Sequence, residues 1–541
     1  MKKHDLLDVE ITDIRFPSVG IGQVDGREIW IKNTLPGQLV RARLTKMKTR
    51  LEAAVVEVLR CAAAEQSPDC ALFGLCGGCT FRQIAYDEEL RLKEKMVLEI
   101  LREAEIGGFA YDGLVAAPFE TGYRNKMEFS FGDDGLDGQL TLGLRKRGSY
   151  YETADISGCQ ICDADFRTVA AYTVDFFRAA GETFYHRTKH TGALRYLVVR
   201  KGFFTGEVLV NIVTASGLSA DISAYAAGLR DLALDGSLVG VLHTTSDAVA
   251  EAVKPEKVDC LFGRDYYMEK LLGLSFRVSA FSFFQTNAAG AERLYATVRE
   301  YAGQTDGRIV FDLYCGTGTI AQLVAAGAEK VVGIELVEDA VAAANDNAAA
   351  NGLANCIFIA GDVLRKIDEV DDKPDVIILD PPREGMHPKA LQKIEAFGAP
   401  VIVYVSCKPT SMARDLAELQ KAGYTVERVR CHDMFPRTNH VETVVLLSKL
   451  KSTTSIEVKI DLDEMDLTQA ESKATYDEIK AYVLDKYGFK VSQLYIAQVK
   501  RKHGIIERGN YNTGEGKAKV PQVPEDKEKA IEDALRHFQM I

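Results

Sequence analysis

Four stretches of this chain carry residue types able to do covalent or acid–base chemistry at a strand end. The apolar run 401–405 leads into Ser406-Cys407-Lys408-Pro409, which places a cysteine where a buried strand stops. A thiolate is a strong nucleophile, and a neighbouring cation such as Lys408 would help hold it. A lone cysteine is more often inert packing, but the strand-end position favours the nucleophile here. Glu442 opens the apolar run 443–447, so its carboxylate is either a base of raised pKa or a solvated strand end. Asp380-Pro381-Pro382-Arg383 closes the run 376–379, and the rigid Pro-Pro turn would fix Asp380 at the crevice of an open sheet. Asp312-Leu313-Tyr314-Cys315-Gly316-Thr317-Gly318-Thr319 follows a strand and opens a helix, with glycines that let a ligand approach the backbone. Glu335 ends the next strand about twenty residues later, where an acid accepts hydrogen bonds from ribose hydroxyls. Ile320-Ala321 stands where a dinucleotide fingerprint has its third glycine, which favours a single-nucleoside cofactor.

A second kind of chemistry sits earlier. Cys70, Cys76 and Cys79 offer three thiolates from one glycine-rich loop, three of the chain's 11 cysteines. The spacing is poor for a zinc ribbon, which pairs two CxxC units. A fourth ligand must come from afar, and Cys159 and Cys162 are the candidates. The spacing alone puts an iron–sulfur cluster ahead of zinc.

The elements that must position these groups follow from periodicity. From Arg308 onward, apolar runs at 309–313, 330–334, 356–359, 376–379, 401–405, 425–431 and 443–447 alternate with helical segments. That pattern predicts an α/β fold with a doubly wound sheet. Residues 1–60 alternate at a period near two between glycine turns and predict a small β-barrel. A helix is expected from Tyr86 to Ala104, and mixed strands and helices to about residue 300. The expected domains are therefore 1–60, a central 61–280 with the cysteine loop, 281–450, and a C-terminal extension 451–541. Two helices, 475–487 and 491–503, are expected in that extension around Gly488. Their basic end, Lys500-Arg501-Lys502-His503, reads as a solvated helical cap or as an RNA contact.

With 541 residues, 47% of them hydrophobic and 27% charged, wholesale disorder is excluded. The first residues lack the apolar core of a signal peptide, and no apolar run approaches the ~18 residues of a membrane span. The expectation is a cytoplasmic protein, not a membrane one, with reduced thiols. A net charge of −12 argues at first sight against nucleic acid. Yet cations cluster at Arg145-Lys146-Arg147 and at Arg41, Arg43, Lys46, Lys48 and Arg50. On a strand the latter form either a solvated edge that discourages aggregation or a phosphate-facing surface.

Taken together, Phe283-Phe284-Gln285-Thr286-Asn287, Asp312–Gly318, Asp380-Pro381-Pro382-Arg383, Ser406-Cys407-Lys408-Pro409 and His440-Val441-Glu442 resemble the RNA uracil-C5 methyltransferase family. The resemblance spans about residues 1–448 and is strongest to the branch acting on 23S ribosomal RNA. It implies a class I S-adenosylmethionine-dependent methyltransferase domain with a seven-stranded sheet. It also implies an OB-like N-terminal barrel of the TRAM type and a central α+β iron–sulfur domain, leaving a small helical extension. Cys407 would attack carbon 6 of uracil and Glu442 would act as the base. Gln285, Tyr314, Thr319, Glu335, Asp362 and Asp380 would contact S-adenosylmethionine. Cys70, Cys76, Cys79 and Cys159 would hold a 4Fe–4S cluster. The implied partner is 23S ribosomal RNA, with no obligate protein partner. A transfer-RNA uracil-C5 enzyme and an amino-methylating enzyme acting on adenine or cytosine are the alternatives.

Overall fold

The computed structural model describes residues 1–47, 50–135, 138–248, 256–449, 476–503 and 523–538. The chain forms two compact units, Met1–Ser452 and Thr453–Ile541.

The first unit begins with a closed barrel of Leu6–Arg15, Val19–Val24, Arg27–Lys32, Leu39–Met47 and Leu51–Arg60, the last two exchanged in spatial order. Alternate residues Val40, Ala42 and Leu44 point into its core with Val9, Ile11, Ile29 and Ile31. Their neighbours Arg41 and Arg43 therefore share the outer face. The cations there are largely paired within the barrel. Arg41 grips Asp8 through two bonds of 2.8 and 2.9 Å. Lys46 and Arg50 both lie against Glu52, at 2.9 and 3.1 Å. This arrangement fits the solvated-edge reading, and such exposed pairs add little stability. Lys48 lies outside the described residues.

Next comes a seven-stranded sheet in the order Lys257–Gly263, Ser237–Thr245, Glu207–Thr214, Leu194–Lys201, Lys126–Asp133, Leu140–Arg145, Thr153–Asp155. Helices Ala164–Ala179 and Ile222–Arg230 cover one face, burying Phe166, Phe177 and Tyr225 against Phe129, Leu197 and Val210.

The third part contains the predicted strands almost residue for residue. Its sheet runs Cys356–Ala360, Lys330–Glu335, Ile309–Leu313, Val376–Leu379, Val401–Ser406, Glu442–Lys449, Tyr424–His432, Ala110–Val115. The first five are mutually parallel, and Glu442–Lys449 is antiparallel to both its neighbours. Seven strands are implied by the family resemblance, and eight are present. The eighth, Ala110–Val115, pairs in parallel with Tyr424–His432. It is short, contains Gly113, and lies almost two hundred residues before the next strand, so nothing local assigns it to this sheet. The helix Tyr86–Glu103 goes with it. Its apolar stripe, Val97 and Leu101, packs in one core with Leu416, Tyr424 and Val429. The stretch 84–115 thus reaches out of the central region to complete the catalytic sheet.

The second unit has three helices, Tyr476–Tyr487, Gln493–Lys502 and Glu525–His537, around Ile479, Val483, Ile496, Val499, Ile531 and Leu535. Its third helix has no counterpart among the two expected in the extension. The basic end is partnered inside the unit: Lys502 pairs with Glu528, and His503 lies 2.8 Å from Glu532. Among the described residues no helix is long and apolar enough to cross a membrane.

Leu101 is fully buried, so Leu101→Ala should lower the free energy of unfolding by about 2–4 kcal/mol. Urea denaturation measures this. A loss below about 1 kcal/mol would place the helix outside the core.

Candidate active site

The carboxyl ends of the five parallel strands present their following residues to one crevice, as in any open parallel sheet. Tyr314 follows the first of these in sequence, Glu335 ends the second, and Asp380 and Cys407 follow the fourth and fifth. Glu442 arrives from the opposite direction. Because Ser406 pairs with Thr443 across the antiparallel step, Cys407 and Glu442 are set side by side. Strand register alone therefore brings the Cys407 thiol to the Glu442 carboxyl from residues 35 apart in sequence.

The glycine loop is held open by its backbone. Tyr314 (φ 67), Gly316 (φ 54) and Gly318 (φ 70) all take the left-handed conformation, the first at a cost that a side chain normally avoids. A Cβ on Gly318 would stand 2.5 Å from the Phe358 ring, whereas one on Gly316 would meet open space. Glu335 ties the loop to the next strand, its Oε2 accepting from the Gly316 amide at 3.0 Å and its Oε1 from Val337 at 3.0 Å. Asp362 caps the helix Val363–Lys366 by accepting from the Leu364 amide at 2.9 Å. It also faces Tyr314, whose hydroxyl burial, aided by that carboxylate, pushes up to about 12. Thr319 is buried in the first turn after the loop. Gln285 meets the hydroxyl of buried Tyr295, which also senses Asp380, Asp312 and Glu442.

Burial sets the protonation of the whole crevice. Asp380 is raised to about 7 by desolvation. Glu442 is raised to about 8 by desolvation and then by Asp380. Asp312 reaches about 8 for the same two reasons, in spite of the Ala321 amide that donates to its Oδ2 at 2.8 Å. Its other oxygen is buried with no partner among the described residues. A set of carboxylates that repel one another in a dry crevice, one with an unused oxygen, suits a cationic ligand. The Cys407 thiol goes up to about 11, first through burial, then through Glu442 and Asp380. The cation opposing that shift is Arg383, not Lys408, which is exposed at the start of the helix Pro409–Lys421. Arg383 stood in the Asp-Pro-Pro-Arg motif without a role. Asp312 and Tyr295 gave no separate signal, because an acid inside a strand and a tyrosine on a helix look like ordinary core.

The cysteine loop forms a separate site. Cys70, Cys76, Cys79 and Cys159 line one cavity with Arg82, Leu144 and Gln160. Cys162 stands behind it, its Sγ donating to the carbonyls of Cys159 (3.9 Å) and Asp163 (3.5 Å). The Cys162 thiol draws Cys159 down to about 6, while burial raises Cys76 and Cys79. Arg82, whose side chain is 2% exposed, pairs with Asp69 and opposes the rise at Cys79. Arg147 is a brace here too, donating to the carbonyls of Cys76 and Cys79. Among the described residues no three Cys, His, Asp or Glu side chains are grouped as ligands of one ion.

A glycine loop after the first parallel strand, an acid ending the second and an Asp-Pro-Pro turn after the fourth define a class I methyltransferase domain. The comparisons with known proteins narrow this further. The model of the tRNA (uracil-5-)-methyltransferase family matches residues 252–450. An uncharacterized RNA methyltransferase of Clostridium acetobutylicum is 45% identical over 450 residues, 83% of this chain and 99% of its own. One of Caldanaerobacter subterraneus is 45% identical over 83% of this chain and 100% of its own. The structure of Pyrococcus abyssi tRNA (uracil-54, C5)-methyltransferase in complex with S-adenosyl-L-homocysteine superposes with a TM-score of 0.64 at 26% identity. It covers 81% of this chain and 100% of that one. The chain belongs to the uracil-5 RNA methyltransferase family.

The raised thiol predicts slow alkylation of Cys407 by iodoacetamide at pH 7 in the free protein, rising about tenfold per pH unit to pH 10. Glu442→Gln removes a negative charge from its surroundings and should speed alkylation, most clearly above pH 8, where Glu442 is ionised. Mass spectrometry of the Cys407 peptide reads both. Equal rates in the two proteins would separate Glu442 from the thiol.

Proposed function

We propose that this protein transfers a methyl group from S-adenosylmethionine to carbon 5 of a uridine in 23S ribosomal RNA. The observation that carries the reading is the convergence of Cys407, Asp380 and Glu442 beside the glycine loop at one sheet edge. S-adenosylmethionine, when bound, supplies an electrophilic methyl group on a positively charged sulfur. The carboxylates of Asp312, Glu335 and Asp380 give that charge a complementary crevice, with Gln285, Tyr314, Thr319 and Asp362 around it.

Carbon 5 of uracil is too weak a nucleophile to accept the methyl group unaided. Attack of the Cys407 sulfur on carbon 6 moves the ring electrons to an enolate, and carbon 5 then forms the new carbon–carbon bond. The thiol is protonated in the free protein, so its proton must leave as substrate binds. Asp380 and Glu442, raised to about 7 and about 8, are the neighbours able to take it. Glu442, in its ionised form, then removes the carbon-5 proton, and the electrons left behind expel the Cys407 thiolate from carbon 6. A target base must leave its stack to enter such a crevice.

The ribosomal substrate is favoured by the barrel and cysteine loop that precede the catalytic sheet, as in the branch this chain resembles. The transfer-RNA reading draws on the Pyrococcus abyssi neighbour. Mass mapping of both RNAs from a deletion strain separates them: loss of 5-methyluridine from 23S ribosomal RNA with transfer RNA unchanged is expected, and the reverse overturns the assignment. Cys407→Ala should abolish methylation and the covalent enzyme–RNA species together. Full activity in that variant would turn the chemistry toward amino-group methylation.

In the second site, Cys70, Cys76, Cys79 and Cys159 would hold a 4Fe–4S cluster in a structural or RNA-facing role. Protein purified without oxygen should contain iron and sulfide in equal amounts, and Cys159→Ser should lose them while Cys162→Ala keeps them. One zinc per chain in their place would sink the assignment.

A further inference from the structure

Glu442 is the first residue of its strand, and its cross-strand partner is His432. The nine residues between them, 433–441, form a loop that carries no catalytic group in the scheme above. That loop is nonetheless among the most heavily anchored segments of the chain. The carbonyls of four consecutive residues accept from four different regions. Met434 accepts from Asn287 Nδ2 at 2.7 Å, and Phe435 from Lys93 Nζ at 3.4 Å. Pro436 accepts from the Tyr123 hydroxyl at 2.8 Å, and Arg437 from the amides of Thr80 at 2.6 Å and Phe81 at 3.2 Å.

At the centre lies a buried ionic group. Lys93 Nζ donates to Glu89 Oε1 at 2.7 Å and to Asp433 Oδ1 at 2.8 Å. The side chains of all three are 0% exposed. Tyr86 donates to the other oxygen of Asp433 at 2.8 Å, and the Arg437 amide donates to Glu89 at 2.7 Å. Tyr86, Glu89 and Lys93 all project from the helix Tyr86–Glu103. Arg437 itself holds φ 68, a conformation that non-glycine residues keep only when their surroundings enforce it. Burying an ion pair is a poor way to gain stability, since apolar residues of similar volume commonly do as well or better. What it does provide is a fixed geometry one residue away from the cross-strand partner of Glu442.

We propose that Lys93, acting through Asp433, is a positioning residue for the elimination step: it fixes the 433–441 loop so that Glu442 meets the carbon-5 proton after methyl transfer. The inference rests on the reading of Glu442 as the base. It predicts a specific defect. Asp380 also lies beside Cys407 and can take the thiol proton, so attack and methyl transfer can proceed with Glu442 displaced, whereas release of the product cannot. A misplaced Glu442 therefore leaves methylated RNA attached to Cys407 through carbon 6.

The test uses the full chain with an RNA transcript that the wild-type protein methylates. Lys93→Met and Asp433→Ala should each lower kcat by about ten- to a hundredfold, with KM for S-adenosylmethionine within about twofold of wild type. Single-turnover transfer of the methyl group should persist, and an enzyme–RNA adduct should build up on denaturing gels. Asp433→Asn keeps the shape and the bond from Lys93 but cannot accept from Tyr86, so it should lower turnover less than Asp433→Ala does, and it decides the matter should the other two fail to fold: adduct beyond wild type supports the proposal, none overturns it. Parallel loss of methyl transfer and turnover without adduct would mean a merely structural role and overturn the proposal, as would wild-type turnover. Glu442→Gln is run alongside. If it traps adduct and the Lys93 and Asp433 variants do not, the positioning role alone falls. If it releases product at the wild-type rate, the base assignment falls and this inference with it.

Discussion

Burial of several acids and one thiol in a single crevice is the constraint on which the rest of this structure depends. Desolvation, more than any neighbouring charge, lifts Asp312, Asp380 and Glu442 toward or above neutrality and Cys407 to about 11. Such a set is costly to assemble and has two consequences. It suits a cationic ligand, and it keeps the Cys407 thiol protonated near neutral pH. A protonated thiol is a poor nucleophile and reacts slowly with stray electrophiles.

Holding that crevice together takes a frame drawn from distant parts of the chain. The parallel strands supply three of the groups by their common direction. One antiparallel step supplies the fourth, through the Ser406–Thr443 pairing. The loop ahead of Glu442 is clamped by the helix Tyr86–Glu103, by Tyr123, by Asn287 and by the amides that directly follow Cys79. The cysteine loop and the catalytic crevice are thus bonded to the same short segment. This gives the cysteine loop a mechanical place in the fold whatever group its thiolates carry.

Much of this was legible in the sequence because the catalytic sheet is made of short, continuously apolar strands buried on both faces. The runs 309–313 and 376–379 match the observed strands at both ends, and the residues that follow each strand fall where an open sheet puts its ligands. Spacing alone does not separate Cys159 from Cys162, since a CxxC pair offers both sulfurs to the same loop; the family resemblance selects Cys159, and Cys159 is the one that lines the cavity with Cys70, Cys76 and Cys79. The strand Ala110–Val115 was illegible for a different reason. Its pairing is fixed by the edge of Tyr424–His432, three hundred residues away, and not by its own weak alternation. Lys408 illustrates the limit of adjacency: the next residue along a strand-to-helix turn points away, while Arg383 from a neighbouring turn reaches the thiol.

The same distinction resolves the puzzle of an acidic protein in an RNA-modifying family. Net charge is a sum, and in this chain most of the clustered cations serve as internal fasteners. Arg82 and Arg147 brace the cysteine loop, Lys93 locks the catalytic hairpin, and Arg41, Lys46 and Arg60 are matched by acids on the barrel. The acids of the crevice count in the formal total, yet burial holds Asp312 and Glu442 largely protonated near neutral pH. Arg383 beside Cys407 and Arg124 stacked on Phe435 at 5.1 Å both bear on His440, which burial and then these cations hold neutral, at about 4. Acids without charge do not repel a phosphodiester, so a formal total of −12 overstates the barrier that this part of the chain sets to RNA.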